Sequence, residues 1–293
     1  MAVVPRETFQ KTWPDTVSDH MVSQEVFQLR YEARWDLLRT EPVPTPDRLS
    51  SYYQSGEYLS HKDEDTSLFG RVYMMLRKWS IKQKYKRISA LGGSSKRLLD
   101  IGCGTGDFLY FANRSGWNAT GVEPDSGARS LALDKSLDVR SQWADLDEPK
   151  YDVITMWHVL EHIPELEACC KKLVDLLKPG GTLIIAVPNY RSWDAVHYGP
   201  HWAAYDVPRH LWHFSKNSFG LLFQDSLSLD DNSPMYLDPF YVALLSERYR
   251  GNRMIWVRAV ISGLRSIIFG WRKGEHSSHI YTLTKPKMQN KPL

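Results

Sequence analysis

The sequence has only three cysteines in 293 residues, too few for the disulfide framework that stabilises small secreted proteins. Cys169 and Cys170 are neighbours, which rarely bridge each other, and Cys103 has no obvious partner, so we expect reduced thiols and a cytoplasmic protein. No apolar run approaches the ~18 residues that a membrane span needs, and the first residues contain no apolar signal core. The net charge of +3 is too small to indicate nucleic acid by itself.

Composition shifts and proline spacing divide the chain into three parts. Three prolines fall between residues 42 and 46, and we interpret residues 1–66 as an appendage in which 25–38 forms a short hairpin or a helix. Residues 67–238 together with 278–286 are predicted to form the main domain. Residues 239–277 would be a helical insertion before the last strand.

Short apolar strands alternate with amphipathic helices from residue 97 onward. Strands are predicted at 97–101, 119–122, 139–143, 151–156, 182–187, within 227–237 and at 280–283. Continuous apolar strands between such helices are typical of an α/β fold whose mostly parallel sheet is covered on both faces, here with 97–101 in a central position. Ligands bind such sheets beyond the carboxyl ends of the strands.

A glycine loop follows the first of these strands, in the string Asp-Ile-Gly-Cys-Gly-Thr-Gly-Asp from Asp100 to Asp107. Glycines allow the backbone to approach a ligand and to turn tightly into a helix. A dinucleotide fingerprint would have glycine at position 107, where this chain has an aspartate. Carboxylates on both sides of the loop suit a ligand that carries an ammonium and a sulfonium better than a pyrophosphate.

Two further acidic positions follow the next strands. Glu123 ends the second strand about 20 residues after the loop, where a carboxylate binds ribose hydroxyls in this type of fold. Asp145 follows the third strand and can accept a hydrogen bond from an adenine amine, while the backbone N–H of Leu146 meets a ring nitrogen.

Four strings in this order resemble the motifs of class I S-adenosylmethionine-dependent methyltransferases: residues 98–107, 121–124, 151–154 and 177–183. The resemblance covers about 95–190 and implies a Rossmann-like fold with a seven-stranded sheet and S-adenosylmethionine as cofactor. It implies that the following residues contact the cofactor: Asp100, Gly102, Cys103, Gly104, Gly106, Glu123, Pro124, Asp145, Leu146, Trp157 and His158. Cys103 would fill space in the loop rather than act as a nucleophile.

The segment from Trp157 to Ile163 carries His158, Glu161 and His162 at the spacing of one helical face. The chain resembles the O-methyltransferases of quinone biosynthesis, in which an acidic-plus-histidine cluster at this place can hold a divalent metal. This chain has His158 where an acidic residue is common, and we predict no metal. A general base at His158 and a structural brace by Glu161 and His162 remain open alternatives.

The segment from His197 to Phe214 contains four histidines among tyrosines and tryptophans, and it follows the fifth predicted strand. We therefore expect residues 190–214 to form a wall or lid over the methyl group. His158 and His210 are the candidate catalytic bases, with Tyr190 and Tyr205 as orienting groups. Arg209 could bind an anionic acceptor or could pair with Asp206.

Seven arginines or lysines and no acidic residue lie between Arg248 and Lys273. The same segment has an apolar stripe at helical spacing, formed by Val257, Val260, Ile261, Leu264, Ile268 and Trp271. Such a helix usually packs its stripe on its own domain, but a weak contact of 248–273 with a membrane surface is an alternative.

These features favour methyl transfer to a small-molecule acceptor, with O-methylation as the preferred chemistry. The Asp/Asn-Pro-Pro-aromatic string of amino-group nucleic-acid methylases is missing after the fourth strand, so no nucleic-acid partner is expected. Two alternatives remain: a binding module that holds S-adenosylmethionine without turnover, and methylation of a lipid-associated acceptor at a membrane surface. The oligomeric state cannot be predicted from the sequence.

Overall fold

The computed structural model describes residues 12–53, 68–91, 95–143, 146 and 151–287. Along the chain, the elements are β1 (Thr16–Ser18), β2 (Val26–Glu32), β3 (Leu37–Glu41), α1 (Pro46–Ser51), α2 (Leu68–Ser89), β4 (Arg97–Ile101), α3 (Asp107–Arg114), β5 (Asn118–Val122), α4 (Ser126–Leu133), β6 (Asp138–Arg140), β7 (Tyr151–Trp157), α5 (Leu166–Leu176), β8 (Leu177–Pro188), α6 (Trp193–Tyr198), β9 (Trp212–Phe214), α7 (Ser218–Leu222), β10 (Ser228–Pro234), α8 (Asp238–Tyr249), α9 (Ile255–Lys273) and β11 (Ser278–Thr284).

The main sheet has seven strands in the order β10-β11-β8-β7-β4-β5-β6. The five strands from β6 to β8 are parallel, whereas β11 runs antiparallel to β8 and β10 antiparallel to β11. Strand β4 lies in the interior between β5 and β7, and its residues 98–101 are buried, including three apolar side chains. The predicted fold class and the interior position of 97–101 are confirmed.

The N-terminal residues form a second, antiparallel sheet in the order β1-β2-β3-β9. Residues 26–41 form a hairpin, which is one of the two structures predicted for 25–38. The fourth strand, β9, belongs to the segment that follows β8, and its Phe214 is opposite Leu37 of β3. The N-terminal residues are therefore hydrogen-bonded into the predicted wall of the acceptor site rather than attached to the outside of the main domain.

Two helices, α8 and α9, lie between the last two strands of the main sheet. Small residues of α9 face inward and are buried: Ala259, Ser262, Gly263, Ser266 and Gly270. The large apolar residues of the predicted stripe face outward, with Val257, Leu264 and Trp271 each at least half exposed. The expectation that this stripe packs on its own domain is wrong, because close packing of α9 against α8 leaves space only for small side chains.

The second half of helix α2 packs against one face of the main sheet. Ile88 is fully buried, and Ile81, Tyr85 and Leu91 pack around the same core cluster. Met75 and Trp79 of the same helix are exposed. In the described part of the chain, no helix is both long and apolar enough to span a membrane.

Candidate functional site

The glycine loop after β4 has the backbone conformation that a closely bound ligand requires. Gly102, Gly104 and Gly106 all have positive φ, which side-chain-bearing residues rarely adopt. A Cβ on Gly102 would lie 2.4 Å from Val159, whereas one on Gly104 would have no atom within 4 Å. Gly104 thus borders open space, and its neighbour Gly102 is needed for packing.

Glu123 closes the loop at the end of β5. Its carboxylate accepts hydrogen bonds from the backbone N–H of Gly104 at 2.8 Å and from that of Asp125 at 2.9 Å. The predicted ribose acceptor therefore lies directly against the predicted cofactor loop, and Pro124 separates it in sequence from its second partner, Asp125. Leu146 is buried in the core, and Asp145, the predicted adenine acceptor, is outside the described residues.

Asp100 is buried at the end of β4, where the Thr155 hydroxyl donates a 2.6 Å hydrogen bond to it. Desolvation outweighs this bond and raises the pKa of Asp100 to about 6. Cys103 faces Gly121, and burial raises the pKa of its thiol well above the usual value. The thiol therefore stays protonated at neutral pH, as suits a residue that fills space.

Two basic residues of α2, Arg77 and Lys84, contact the candidate cofactor site, and no motif in the sequence marks either of them. Arg77 donates to the Thr105 hydroxyl and pairs with Asp107. Lys84 lies 4.7 Å above the ring of Trp157, and desolvation lowers its pKa despite the attraction of Asp100. The available signal was their spacing of seven residues, which places both on one side of a helix that leads toward β4.

His158 follows β7 with a positive φ and pairs with two carboxylates. Its Nε2 is 3.1 Å from Asp238 at the start of α8, and its Nδ1 is 3.4 Å from Glu161. Desolvation disfavours the charged ring, but Asp238 and then Glu161 outweigh it and raise the pKa of His158 to about 10. The ring is therefore cationic at neutral pH, which suits an ion pair better than a proton acceptor. Asp238 was assigned to no role because it belongs to a distant part of the sequence.

Glu161, His162 and His210 form a compact cluster beside this ion pair. One ligand atom from each lies within 4.8 Å of the others. The Glu161 side chain is fully buried, and neither of its oxygens has a hydrogen-bond partner. A buried carboxylate without hydrogen bonds is costly, and the cationic ring of His158, 3.4 Å from its Oε1, is the positive charge that offsets this cost.

Each imidazole of the cluster lies against a backbone carbonyl oxygen. His210 Nδ1 is 2.9 Å from the carbonyl oxygen of Ala204, and His162 Nδ1 is 3.0 Å from that of Arg209. A carbonyl oxygen only accepts, so Nδ1 of His210 donates, and the neutral form of this ring has its lone pair on Nε2. His162 Nδ1 is also 3.1 Å from the Tyr53 hydroxyl, which can donate or accept. Desolvation and the neighbouring His210 lower the pKa of His162 to about 4. Two imidazole lone pairs and one carboxylate can accept a substrate proton, and they are also ligands that a divalent cation accepts.

Two other predicted residues are buried. The Tyr190 hydroxyl donates to Asp36 of the N-terminal hairpin at 3.2 Å, and the side chain is fully buried. Tyr205 is fully buried between Trp202 and His213, and its hydroxyl has no hydrogen-bond partner among the described residues. The Tyr190 hydroxyl is therefore committed to a structural contact, whereas that of Tyr205 is not.

Arg209 is buried as well, and it donates to Asp19 at 2.9 Å and to Asp206 at 2.6 Å. Both carboxylates belong to the chain itself, so the idea that Arg209 binds an anionic acceptor is not supported. The pairing with Asp206 is the alternative that the sequence analysis named.

Comparison with known proteins agrees with this geometry. The family model described as "Methyltransferase domain" matches residues 75–226. The chain is 34% identical over 110 residues to the ubiquinone biosynthesis O-methyltransferase of Alkalilimnicola ehrlichii, covering 34% of this chain and 44% of that protein. It is 29% identical to the Pasteurella multocida enzyme of the same name over 44% of this chain and 62% of that one. The chain thus spans about half the length of the curated relatives it matches.

Two solved structures show the same fold at low identity. A candidate sarcosine dimethylglycine methyltransferase from Galdieria sulphuraria has a TM-score of 0.51 at 14% identity, covering 74% of this chain and 88% of that chain. A chain from the complex between the Haloferax volcanii Trm112 methyltransferase activator and a methyltransferase has a TM-score of 0.53 at 16% identity, covering 74% of this chain and 93% of that one. Because the family model covers slightly more than half of the sequence, the chain belongs to the methyltransferase domain family, whose cofactor is S-adenosylmethionine.

Proposed function

We propose that this protein transfers the methyl group of S-adenosylmethionine to a hydroxyl oxygen of a small molecule. The observation that carries the proposal is the cluster of Glu161, His162 and His210, in which one ligand atom of each residue, an imidazole nitrogen or a carboxylate oxygen, lies within 4.8 Å of the others. A hydroxyl acceptor has a proton to lose, and such a cluster can take it. Similarity to ubiquinone biosynthesis O-methyltransferases supports the same choice of acceptor atom.

The cofactor would bind across the carboxyl ends of β4 and β5. Asp100 would attract its ammonium group, the backbone of 102–106 would contact the methionine part, and Glu123 would accept from the ribose hydroxyls. Lys84 would neutralise the cofactor's carboxylate. Its ammonium group lies over the Trp157 ring and is attracted by Asp100, so the positive charge is close to both predicted cofactor contacts. The sulfonium supplies an activated methyl group, so the protein has to align the acceptor and remove its proton.

The proton would go to Nε2 of His210 or His162. His210 is the stronger candidate of the two predicted bases, because His158 is held as a cation between Asp238 and Glu161. The Nδ1–H···O=C bond of His210 orients its ring, and Glu161 would stabilise the imidazolium that forms. The aromatic wall around the cluster excludes water from the reacting pair.

In the quinone-biosynthesis enzymes that this chain resembles, an acidic-plus-histidine cluster at this place can hold a divalent cation. The sequence predicts no metal, but the residues that the fold brings together fit one: the oxygens of Glu161 and one imidazole nitrogen each of His162 and His210 would hold it. Such an ion would lower the pKa of a hydroxyl that binds it. His210 orients the acceptor in either case, so its replacement tests the cluster as a whole.

The test is a screen of hydroxylated metabolites for release of S-adenosylhomocysteine, followed by His210→Gln on the acceptor found. We expect turnover to fall by about 10²-fold or more while cofactor affinity changes little. His197→Gln is the matched control, because His197 is an exposed imidazole of the same segment. Full turnover of the His210 variant would reject the cluster as the catalytic group. Tight binding of S-adenosylhomocysteine without turnover on any acceptor would favour the non-catalytic alternative.

A second measurement tests the cofactor site independently of the acceptor. Glu123→Ala should weaken S-adenosylhomocysteine binding by about 2–3 kcal/mol, since the ribose hydroxyls would lose a charged acceptor. Asp134→Ala, at an exposed carboxylate after α4, is the control. Unchanged affinity in calorimetric titration of the Glu123 variant would reject the ribose assignment.

A further inference from the structure

We propose that the outward face of α9 docks on the surface of an anionic lipid bilayer. We define the α9 outer face as the exposed apolar residues Val257, Val260, Ile261, Leu264, Ile268 and Trp271 together with the arginine row Arg258, Arg265 and Arg272. The docking would place α9 parallel to the bilayer surface, with the apolar residues in the headgroup region and the arginines on phosphates.

The exposure of large apolar residues on α9 is the first observation. Trp271 is 65% exposed, Val260 51% and Leu264 50%, while the buried positions of the same helix carry only alanine, serine and glycine. A helix that only had to cover its own domain would have this distribution reversed. A contiguous apolar strip of this length on a surface helix indicates an interaction site.

The charge beside the strip is the second observation. Arg258, Arg265 and Arg272 are seven residues apart, so they form a row along one side of the apolar strip, and all three are exposed. Residues 248–273 contain no aspartate or glutamate, and within the described residues no carboxylate pairs with these three arginines. A row of unneutralised guanidinium groups fits phosphate oxygens, which it can bind bidentately.

The apolar strip and the arginine row together indicate which surface binds to α9. A second copy of the chain would bring two arginine rows together with no acid on either α9 to neutralise them. Along the whole length of the helix, a bilayer surface presents acyl chains to the apolar strip and anionic headgroups to the arginine row. Trp271 at the end of the strip is a residue type that prefers this interface.

The α9 outer face is linked to the candidate site through the start of α8. The ring of Trp271 lies next to Tyr236, two residues before α8 begins, and Asp238 at the start of α8 pairs with His158. A docked α9 would therefore bring the acceptor side of the site close to the bilayer. This consequence rests on the proposed function and points to an amphipathic acceptor, whereas the docking itself does not depend on catalysis.

Flotation of the full chain with vesicles tests the proposal. The probes are vesicles of phosphatidylcholine with 30% phosphatidylglycerol (about the share in an anionic membrane) and vesicles of phosphatidylcholine alone. We expect strong binding to the first, at least tenfold weaker binding to the second, and release by about 0.5 M salt. Two triple variants should each lower binding to the anionic vesicles at least tenfold: Arg258→Gln with Arg265→Gln and Arg272→Gln, and Val260→Gln with Leu264→Gln and Ile268→Gln.

Matched controls come from exposed positions elsewhere. Lys78→Gln with Lys82→Gln and Lys86→Gln removes three charges from α2, and Leu131→Gln with Leu133→Gln removes two exposed leucines from α4. Both controls should bind vesicles as the natural chain does. Thermal melting and titration with S-adenosylhomocysteine establish that each variant is folded and that the cofactor site is intact.

Three outcomes would overturn the proposal. One is the failure of the natural chain to float with anionic vesicles at low salt. Another is equal binding by the α9 variants and the controls. The third is a dimer in light scattering that both α9 variants convert to monomer, since a second copy would then cover this face. Loss of cofactor binding in the natural chain would instead reject the proposed function and leave the vesicle result standing.

Discussion

Asp100 shows how one buried side chain can make cofactor binding depend on pH. Its pKa is raised to about 6, and the cofactor's ammonium needs the ionised carboxylate. At pH 5 only about a tenth of the carboxyls are ionised, so we expect affinity for S-adenosylhomocysteine to fall about tenfold between pH 7.5 and pH 5. Calorimetric titration at both values tests this, and Asp100→Asn should weaken binding while removing the dependence. An equally steep dependence in the variant would assign it to another group.

The same pKa has a consequence for stability that opposes its consequence for binding. The folded-state pKa of Asp100 lies above the ordinary value of 3.8, so the folded chain binds more protons between about pH 4 and pH 6. This residue therefore costs stability as pH rises through that window, and Asp100→Asn should raise the melting temperature at pH 7.5. A lower melting temperature would show that the Thr155 hydrogen bond outweighs desolvation.

Residues close together in sequence could be assigned from the sequence, and residues brought in from distant segments could not. Gly104 and Glu123 follow adjacent strands, so their contact follows from strand order alone. Asp238 reaches His158 across 80 positions, and Lys84 comes from a helix that periodicity describes only as packing. Ion pairs between such segments leave no local signal in the chain.

Helix α9 shows that an apolar stripe does not reveal which side of a helix is buried. Its small and large residues occupy opposite faces, and the hydrophobic pattern favours the large ones as the core. The short distance between α8 and α9 decides which face of α9 is buried. A Cβ on Gly263 of α9 would lie 2.5 Å from the ring of Phe240 on α8. Glycine at this point allows the close approach of α8 and α9, which cannot be predicted from one helix at a time.

We expect Gly263→Ala to destabilise the protein by about 1–3 kcal/mol, because the added methyl group overpacks the contact between the two helices. Gly220→Ala on α7 is the matched control, since a Cβ there meets nothing within 4 Å. Alanine has the higher helix propensity, so the control should be neutral or stabilising by up to about 1 kcal/mol. Chemical denaturation of both variants gives the comparison, and equal stability changes would refute the close-packing account.

At the scale of the whole molecule, polar contacts join the N-terminal sheet to the segments that follow β8. Asp36, at the hairpin of the N-terminal sheet, accepts hydrogen bonds from Tyr31 at 3.0 Å, Tyr190 at 3.2 Å and Ser215 at 2.8 Å, and it pairs with Arg191. Three of these partners belong to the segments that follow β8. The carboxylate is therefore a junction between the N-terminal sheet and the acceptor wall.

Replacement of this carboxylate should loosen both regions together. Asp36→Asn keeps the size and tolerates the left-handed φ of 50°, but it removes the charge that the buried partners share. We expect a loss of about 3 kcal/mol in the free energy of unfolding and faster hydrogen exchange in both β3 and β9. Asp225→Asn, in an exposed turn, is the control. Faster exchange in β3 alone would mean that the two regions open independently.

The pairing of β3 with β9 also bears on how the chain can be shortened in the laboratory. A chain that starts at residue 67, the domain boundary that the sequence pattern favours, would lack β3, which pairs with β9. It would also lack Asp19, whose carboxylate accepts a hydrogen bond from Arg209. The remaining chain would keep every glycine-loop residue and could still bind the cofactor. It would nevertheless have an unpaired edge at β9, and the buried Arg209 guanidinium would lose two of its partners, the Asp19 carboxylate and the Tyr52 carbonyl oxygen. We therefore expect such a fragment to aggregate and to lose binding of its acceptor.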